Sequence, residues 1–291
     1  MPKIAVIGIK GAWSTEALAD ALEERTGHRR VVEMQDIGVD LDTGAVLHEG
    51  EDLTDLDAVI VKKIAVHYAP DALDRVELLR FLESRGVRVF SKPDSMMPLI
   101  DRLMGTVRLR MGGIAMPRTY VTESLDLAVA KVGEFGRAIG KPLYTSKARG
   151  MKVFEDGDDL REQLDAFQQA GNPQMYLQEM VDIPGRDLGV AFLGGEYLAT
   201  YARVSQGSWN TTTVSGGKYE KVDPSEEVIG LAHRSQALFD LAFTCVDVVE
   251  TEQGPLVFEV SAFGGFRGLK EACGIDAAGM YADLVIQKVG G

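Results

Sequence analysis

The first ninety residues alternate short apolar runs with stretches of helical periodicity. Lys3 to Gly8, KIAVIG, has the continuous apolar character of a buried strand and ends in the turn Ile9-Lys10-Gly11. A helix follows from Ser14, a suitable N-cap, with Leu18 and Leu22 spaced one turn apart. Arg30 to Met34, Asp57 to Lys62 and Val87 to Phe90 read as further strands, and Asp71 to Arg85 as an amphipathic helix. Leu41 to Glu49 reads as a small hairpin about the turn-like Asp42-Thr43-Gly44. Strands and helices alternating across short links imply a parallel sheet with helices on its faces. Its first turn carries no G-x-G-x-x-G, so no dinucleotide fingerprint is present.

Ser91-Lys92-Pro93-Asp94-Ser95 marks a boundary, where a strand ends and Pro and Asp start something new. Helices are expected over 98–111, with Leu99, Leu103, Val107 and Met111 four apart, and over 124–139, 156–169 and 225–239. The 156–169 helix opens on the capping pattern Asp156-x-x-Asp159. Val190–Leu193 and Tyr197–Val204 form a hairpin across Gly194-Gly195. The last strands flank the turn Thr251-Glu252-Gln253-Gly254 and lead into the Gly-rich exit 264–268.

Composition narrows the class. A chain of 291 residues, 45% hydrophobic and 26% charged, is long enough for two or three lobes around sizeable cores. A net charge of -13 argues against a nucleic-acid-binding surface, which needs clustered Lys and Arg. The opening apolar run is too short for a membrane span and lacks a cleavage-like signal, so a cytoplasmic protein without a membrane is expected. Cys245 and Cys273 stand in apolar settings, as inert core thiols do.

Candidate chemistry centres on CVDVVETEQGPLVFEVSAFGGFRG, residues 245–268. Each strand carries one acid among apolar residues, Asp247 and Glu259. Alternation lets both face the same way while the valines pack on the other side. A buried carboxylate is costly unless paired or metal-bound, and Mg²⁺ usually takes one or two carboxylates plus substrate phosphates. The same spacing also suits two solvent-facing acids on an edge hairpin.

The order of motifs resembles the ATP-grasp ligases, in the RimK-like branch that joins glutamate or another amino acid to a carboxylate. In that family an Asp and a Glu-x-Asn on adjacent strands hold two Mg²⁺ ions, followed by a Pro-Gly-x-x-Gly helix start and a Gly-Ile/Val-Asp closing helix. The matching residues are Asp247, Glu259 and Ser261, then Gly264-Gly265-Phe266-Arg267-Gly268, then Gly274-Ile275-Asp276. Ser261 stands where the family has Asn. Asp101-Arg102 resembles a phosphate-contacting Asp-Lys, and residues 112–119 resemble the link into the next strand. Lys141 and the loop to Met151 resemble the strand lysine and Gly-rich flap over the triphosphate. Thr145 and Ala148 replace glycines there, and Lys147 and Arg149 add charge. Tyr176-Leu177-Gln178-Glu179-Met180-Val181 resembles the adenine hinge, and Pro184-Gly185-Arg186-Asp187 brings the ribose acid. Gly189 stands where relatives carry Arg. Arg203 matches an arginine facing the transferring phosphate, and Ser208 to Thr213 with Gly216-Gly217 matches a substrate loop in which Asn210 and Thr212 replace Arg and Asn.

The resemblance implies an α/β protein of the ATP-grasp fold. An N-terminal parallel-sheet lobe (1–92) precedes a central subdomain (93–180) and a C-terminal subdomain with the metal site (181–291), the last two enclosing the nucleotide. It implies a carboxylate–amine ligase using ATP and Mg²⁺, with Mn²⁺ as a substitute, that forms an amide through an acyl phosphate and releases ADP. Metal would rest on Asp247, Glu259 and Ser261. Arg102, Lys141, Lys147 and Arg149 would hold phosphates. Gln178, Glu179, Met180 and Val181 would hold adenine, Asp187 the ribose, and Arg203 and Arg267 the reacting groups. Its substrates would be a small-molecule or peptide carboxylate and an amine, and homo-oligomers are common among the proteins resembled. The missing cations and the altered flap point to an alternative, an ATP-binding homologue with lost or altered ligase activity serving as a regulator or partner. A third reading is phosphoryl transfer without amide formation.

Overall fold

The first apolar run is strand β1 (Ile4–Ile7), all four residues buried, in the computed structural model, which describes residues 1–146, 148–205 and 217–291. α1 (Trp13–Thr26) follows with Ala12 at its N-cap, so Ser14 lies inside the helix and caps nothing. β2 (Val31–Val32) joins β1 in parallel. The expected 41–49 hairpin forms a little wider, as β3 (Ile37–Val39) and β4 (Val46–His48), and β5 (Glu51–Asp52) completes a three-stranded antiparallel sheet. β6 (Ala58–Val61), α2 (Asp71–Ser84) and β7 (Arg88–Phe90) then complete a parallel sheet ordered β2-β1-β6-β7. The strand order reverses between β1 and β6, which opens a crevice at their carboxyl ends beside Gly8 to Gly11 and Lys62-Lys63.

α3 (Pro93–Met96) and a single 3₁₀ turn lead to α4 (Arg102–Met111). The helix expected from Pro98 is interrupted at Asp101, which leaves helical geometry and accepts the Leu103 N–H at 2.6 Å. That cap satisfies one of the orphan donors of α4 and sets Arg102 at its first position. β8 (Thr119–Thr122) is followed by α5 (Leu125–Phe135). α5 stops at Gly136, whose φ of 73° a side chain would resist. The tail of the expected 124–139 helix is therefore strand β9 (Arg137–Gly140), which delivers Lys141 to the site.

β10 (Lys152–Glu155), α6 (Leu160–Gln169) and β11 (Met175–Glu179) complete the antiparallel sheet β10-β9-β11-β8. α6 begins four residues later than the capping pattern suggested, with Asp159 itself at the N-cap, where its carboxylate takes the Gln163 side-chain amide at 2.7 Å and no backbone N–H. Val132, Phe154, Leu164, Phe167 and Leu177 give this central layer a core of its own.

β12 (Arg186–Leu193), β13 (Glu196–Val204), β14 (Lys218–Lys221), α7 (Glu226–Ala237), β15 (Phe243–Thr251) and β16 (Gly254–Ser261) follow. The five strands form an antiparallel sheet ordered β14-β13-β12-β15-β16. α7 packs on one face of it, and α8 (Arg267–Cys273) on the other, against β13 and β14. α9 (Ala277–Gly290) packs on α1, where Arg25 pairs with Asp283 at 2.5 Å. Two apolar clusters mix residues of the first and third sheets, Val59 with Val248 in one and Ile60 with Phe243 in the other. The N- and C-terminal layers thus share cores, and the central layer does not. Among the described residues no helix is long and apolar enough to cross a membrane.

Candidate active site

Strand register assembles the site. Cα partners across the third sheet are Asp187 with Arg203, Gly189 with both Tyr201 and Asp247, and Asp247 with Glu259. Partners share a face, as do residues two apart on one strand, so Arg203, Asp187, Asp247 and Glu259 lie on one face of four strands, the first pair two residues along from the second. Pairing shifts between Asp247 and Val248, which leaves Phe258 as the extra residue of a β-bulge, with its ring 5.2 Å from Lys141 Nζ.

Arg203 binds both oxygens of Asp187, through Nε at 3.1 Å to each and through Nη2 to Oδ2. Nη2 also lies 2.9 Å from Asp247 Oδ2. Burial works against the Arg203 charge, but Asp247 and Asp187 outweigh it and hold its pKa above the ordinary arginine value. Asp247 Oδ1 is buried and has no hydrogen-bond partner among the described residues. Burial pushes the Asp247 carboxyl up to about 7 against the pull of Arg203. Glu259 meets Arg102 at 3.2 Å, and Arg102 also donates to the Pro142 and Thr145 carbonyls. Arg102 thereby ties α4, the flap and β16 together.

Lys141 is buried and bonds Gln178 Oε1 at 2.5 Å. Burial, then the Arg102 guanidinium, push its ammonium down to about 7, while Glu259 pulls the other way. Its strand comes close because Gly140 has no side chain: a Cβ there would lie 2.5 Å from the Phe154 ring. In the flap, Ala148 takes a φ of 56°, the conformation that glycine adopts freely. Arg149 reaches across to His67 Nδ1 at 2.5 Å. Tyr68, Arg102, Thr145, Ser146, Phe258 and Glu259 line a narrow cavity of about 50 Å³. A larger groove of about 630 Å³, between β7 and the end of α7, contains none of these side chains.

Several expected contacts are already occupied. The Glu179 carboxylate is held by Arg118 at 2.7 and 2.8 Å, which lowers its pKa, and the Met180 N–H donates to the Arg137 carbonyl. The Val181 N–H has no partner among the described residues. Asp187, expected at the ribose, is 4% exposed and turned to Arg203. Ser261 sits two residues beyond Glu259 on the same face, opposite Cys245. Arg267 is exposed at the start of α8, 5.6 Å from the Trp13 ring and 3.5 Å from Glu271, apart from the acidic row. Lys147, Trp209, Asn210 and Thr212 lie outside the described residues.

Arg118 was missed as a partner of Glu179, since a lone Arg after a proline carries no signal for a contact 61 residues away. Lys62, the last residue of the expected strand Asp57 to Lys62, is buried, donates to the Gly264 carbonyl and lies 4.1 Å from the Phe266 ring centroid. Its burial pushes it down to about 8.

An unpartnered buried carboxylate oxygen beside a second carboxylate is a donor set that suits Mg²⁺. Among the described residues no group of three or more His, Cys, Asp or Glu could hold a metal, so two acids would carry it.

A central antiparallel layer and an acid-bearing antiparallel sheet, preceded by a parallel-sheet lobe, make the ATP-grasp architecture. Residues 101–285, more than half of the chain, match the model of the RimK-like ATP-grasp domain. The chain therefore belongs to the RimK-like ATP-grasp family, and with it to the ATP-grasp ligases. It is similar to the tetrahydromethanopterin:alpha-L-glutamate ligase of Methanosarcina acetivorans, at 24% identity over 91% of this chain and 93% of that one. A probable alpha-L-glutamate ligase of Enterobacter sp. is 26% identical over 95% and 93%. Among solved structures, the ATP-grasp ligase PsnB complexed with a minimal precursor superposes with a TM-score of 0.75 over 99% of both chains at 19% identity. An ATP-grasp RimK domain protein from Sphaerobacter thermophilus gives 0.75 over 97% and 98% at 22%.

Proposed function

We propose that this chain is an ATP- and Mg²⁺-dependent carboxylate–amine ligase that forms an amide through an acyl phosphate and releases ADP. The single observation that carries this reading is a cluster in which Arg203 pairs with Asp187 and Asp247 and Arg102 pairs with Glu259, close to Lys141, with one carboxylate oxygen of Asp247 unspent. Phosphoryl transfer needs positioning and charge neutralisation more than covalent help from the protein. Lys141, just after β9, and Arg102, at the start of α4, neutralise phosphate oxygens, with Lys147 and Arg149 from the flap. Asp247 and Glu259 would hold Mg²⁺, with the Ser261 hydroxyl as a weaker neutral donor. The ion would supply charge stabilisation on the phosphates. Val181 offers its N–H to the adenine edge, and the Glu179 carboxylate becomes available once Arg118 lets go. Arg203 faces the transferring group, and Arg267, at the crevice with Trp13, faces the second substrate. The relatives named as alpha-L-glutamate ligases support glutamate as one of the two substrates.

The alternative, an ATP-binding homologue without ligase turnover, is favoured by one observation: both candidate metal acids are already paired with arginines. One assay separates the readings. With Mg²⁺·ATP, a panel of carboxylates and L-glutamate, a ligase forms ADP only when acid and amine are both present. ADP that forms without any amine shows phosphoryl transfer alone, and nucleotide binding without turnover on any pair shows the regulator.

A further inference from the structure

Lys62 is a buried cation to which the phosphate chemistry gives no task. It directly follows β6, its N–H donates to the Ile7 carbonyl at 2.7 Å, and it is 5% exposed. Among the described residues no carboxylate pairs with it. Its ammonium instead donates to the Gly264 carbonyl and stands 4.1 Å from the Phe266 ring centroid and 5.4 Å from that of Phe243. Aromatic faces attract a cation most strongly where water is excluded. A buried charge without a counter-ion is costly all the same, and an apolar side chain would fill the space without that cost. What the charge does here is grip a turn.

That turn joins the strand of Glu259 to the helix of Arg267. On the sheet side it runs tight against its neighbours: a Cβ at Gly264 would lie 2.9 Å from the Cys245 nitrogen, and one at Gly268 2.6 Å from the Tyr201 ring. No side chain caps α8, whose N-cap is Phe266 itself. From the first lobe the turn is held by Lys62, through the Gly264 carbonyl and the Phe266 ring, and Arg267 is the next residue. Besides burial, the Cys245 thiol on β15 bears on the ammonium and favours its charge, and Lys63 beside it opposes the charge. Burial outweighs both, so the charge is lost as pH rises through about 8.

We propose that Lys62 is a positioning residue: through its charge it fixes the Gly264–Arg267 turn from the first lobe and so aims Arg267 at the second substrate. This rests on the reading of the chain as a ligase in which Arg267 faces that substrate.

Two measurements test it on the native protein and on Lys62→Met, which keeps an unbranched apolar side chain and drops the charge. Carbon-13 NMR follows the Gly264 carbonyl, and calorimetry follows L-glutamate binding to the complex with Mg²⁺ and AMPPNP. If Lys62 holds the turn, the native Gly264 signal shifts between about pH 7 and 9 as the ammonium loses its proton, and the variant signal stays constant. The variant should bind AMPPNP within about threefold of native but L-glutamate about tenfold more weakly at pH 7, and the gap to native should close at pH 9. A native Gly264 signal that does not move overturns the proposal, and that result decides alone if Lys62→Met fails to fold. A variant that binds L-glutamate as tightly as native at pH 7 also overturns it, since Lys62 would then only fill space. Native protein that binds AMPPNP but no L-glutamate removes glutamate as a substrate and leaves the Gly264 signal to decide. Native protein that binds neither overturns the ligase reading and this proposal together.

Discussion

Lys141 should take up a proton when ATP binds. Its ammonium is buried, bonds the neutral Gln178 amide and lies near Arg102, and although Glu259 pulls the other way it is pushed down to about 7 in the free protein. At pH 8 it is then about one-tenth protonated. A triphosphate against it supplies the missing anion and returns its pKa towards the ordinary lysine value near 10, so binding takes up about 0.9 proton. Asp247, at about 7, is already mostly ionised at pH 8 and contributes little. Calorimetry of ATP binding at pH 8 in Tris and in HEPES, whose ionisation enthalpies differ, reads the uptake directly. Lys141→Met removes the proton and keeps the apolar stem. The linkage also fixes a sign. The folded pKa is depressed, so stability falls as pH drops from the ordinary lysine value near 10 to about 7 and is independent of this group below that; the Met variant lacks this slope. Equal heats in the two buffers for the native protein would refute the assignment of Lys141 to the phosphates.

Three further outcomes follow from particular contacts. Arg203→Ala strands two buried carboxylates and should cost about 3–5 kcal/mol; because Asp247 protonates below about 7, the gap in melting temperature to the native protein should be smaller at pH 5 than at pH 8, and a gap that widens at pH 5 contradicts the pairing. Gly189→Ala places a Cβ 2.4 Å from Tyr201 Cζ, so urea unfolding should show a loss of about 1–3 kcal/mol, partly recovered by adding Tyr201→Leu. Ser261→Asn should raise the number of Mn²⁺ ions bound in the nucleotide complex from one to two by electron paramagnetic resonance, since an amide oxygen replaces a weak hydroxyl donor; an unchanged count would show that the second ion needs more than this side chain.

Much of the fold was legible because its signals are local. KIAVIG and DAVIVK carry their strand character in consecutive residues, and alternation alone put Asp247 and Glu259 on one face, where the register places them side by side. The errors fell where a single residue redirected the backbone. Gly136 ended α5 early and made β9, and Asp101 split the helix at 98–111 by capping α4. Tertiary pairs were not legible. Arg102 with Glu259 spans 157 residues and Arg118 with Glu179 spans 61, and no spacing rule encodes either. The bulge that frees Phe258 is equally silent in the pattern, which reads through it as an ordinary strand.

Mg²⁺-dependent ATP binding, measured by calorimetry on the native protein and on Glu259→Ala, tests the central claim most directly. The account predicts tight binding by the native protein that needs Mg²⁺, and a variant that folds but has lost the metal-dependent part of the affinity. Native protein that binds no ATP, or binds it equally well in Glu259→Ala with and without Mg²⁺, would contradict it.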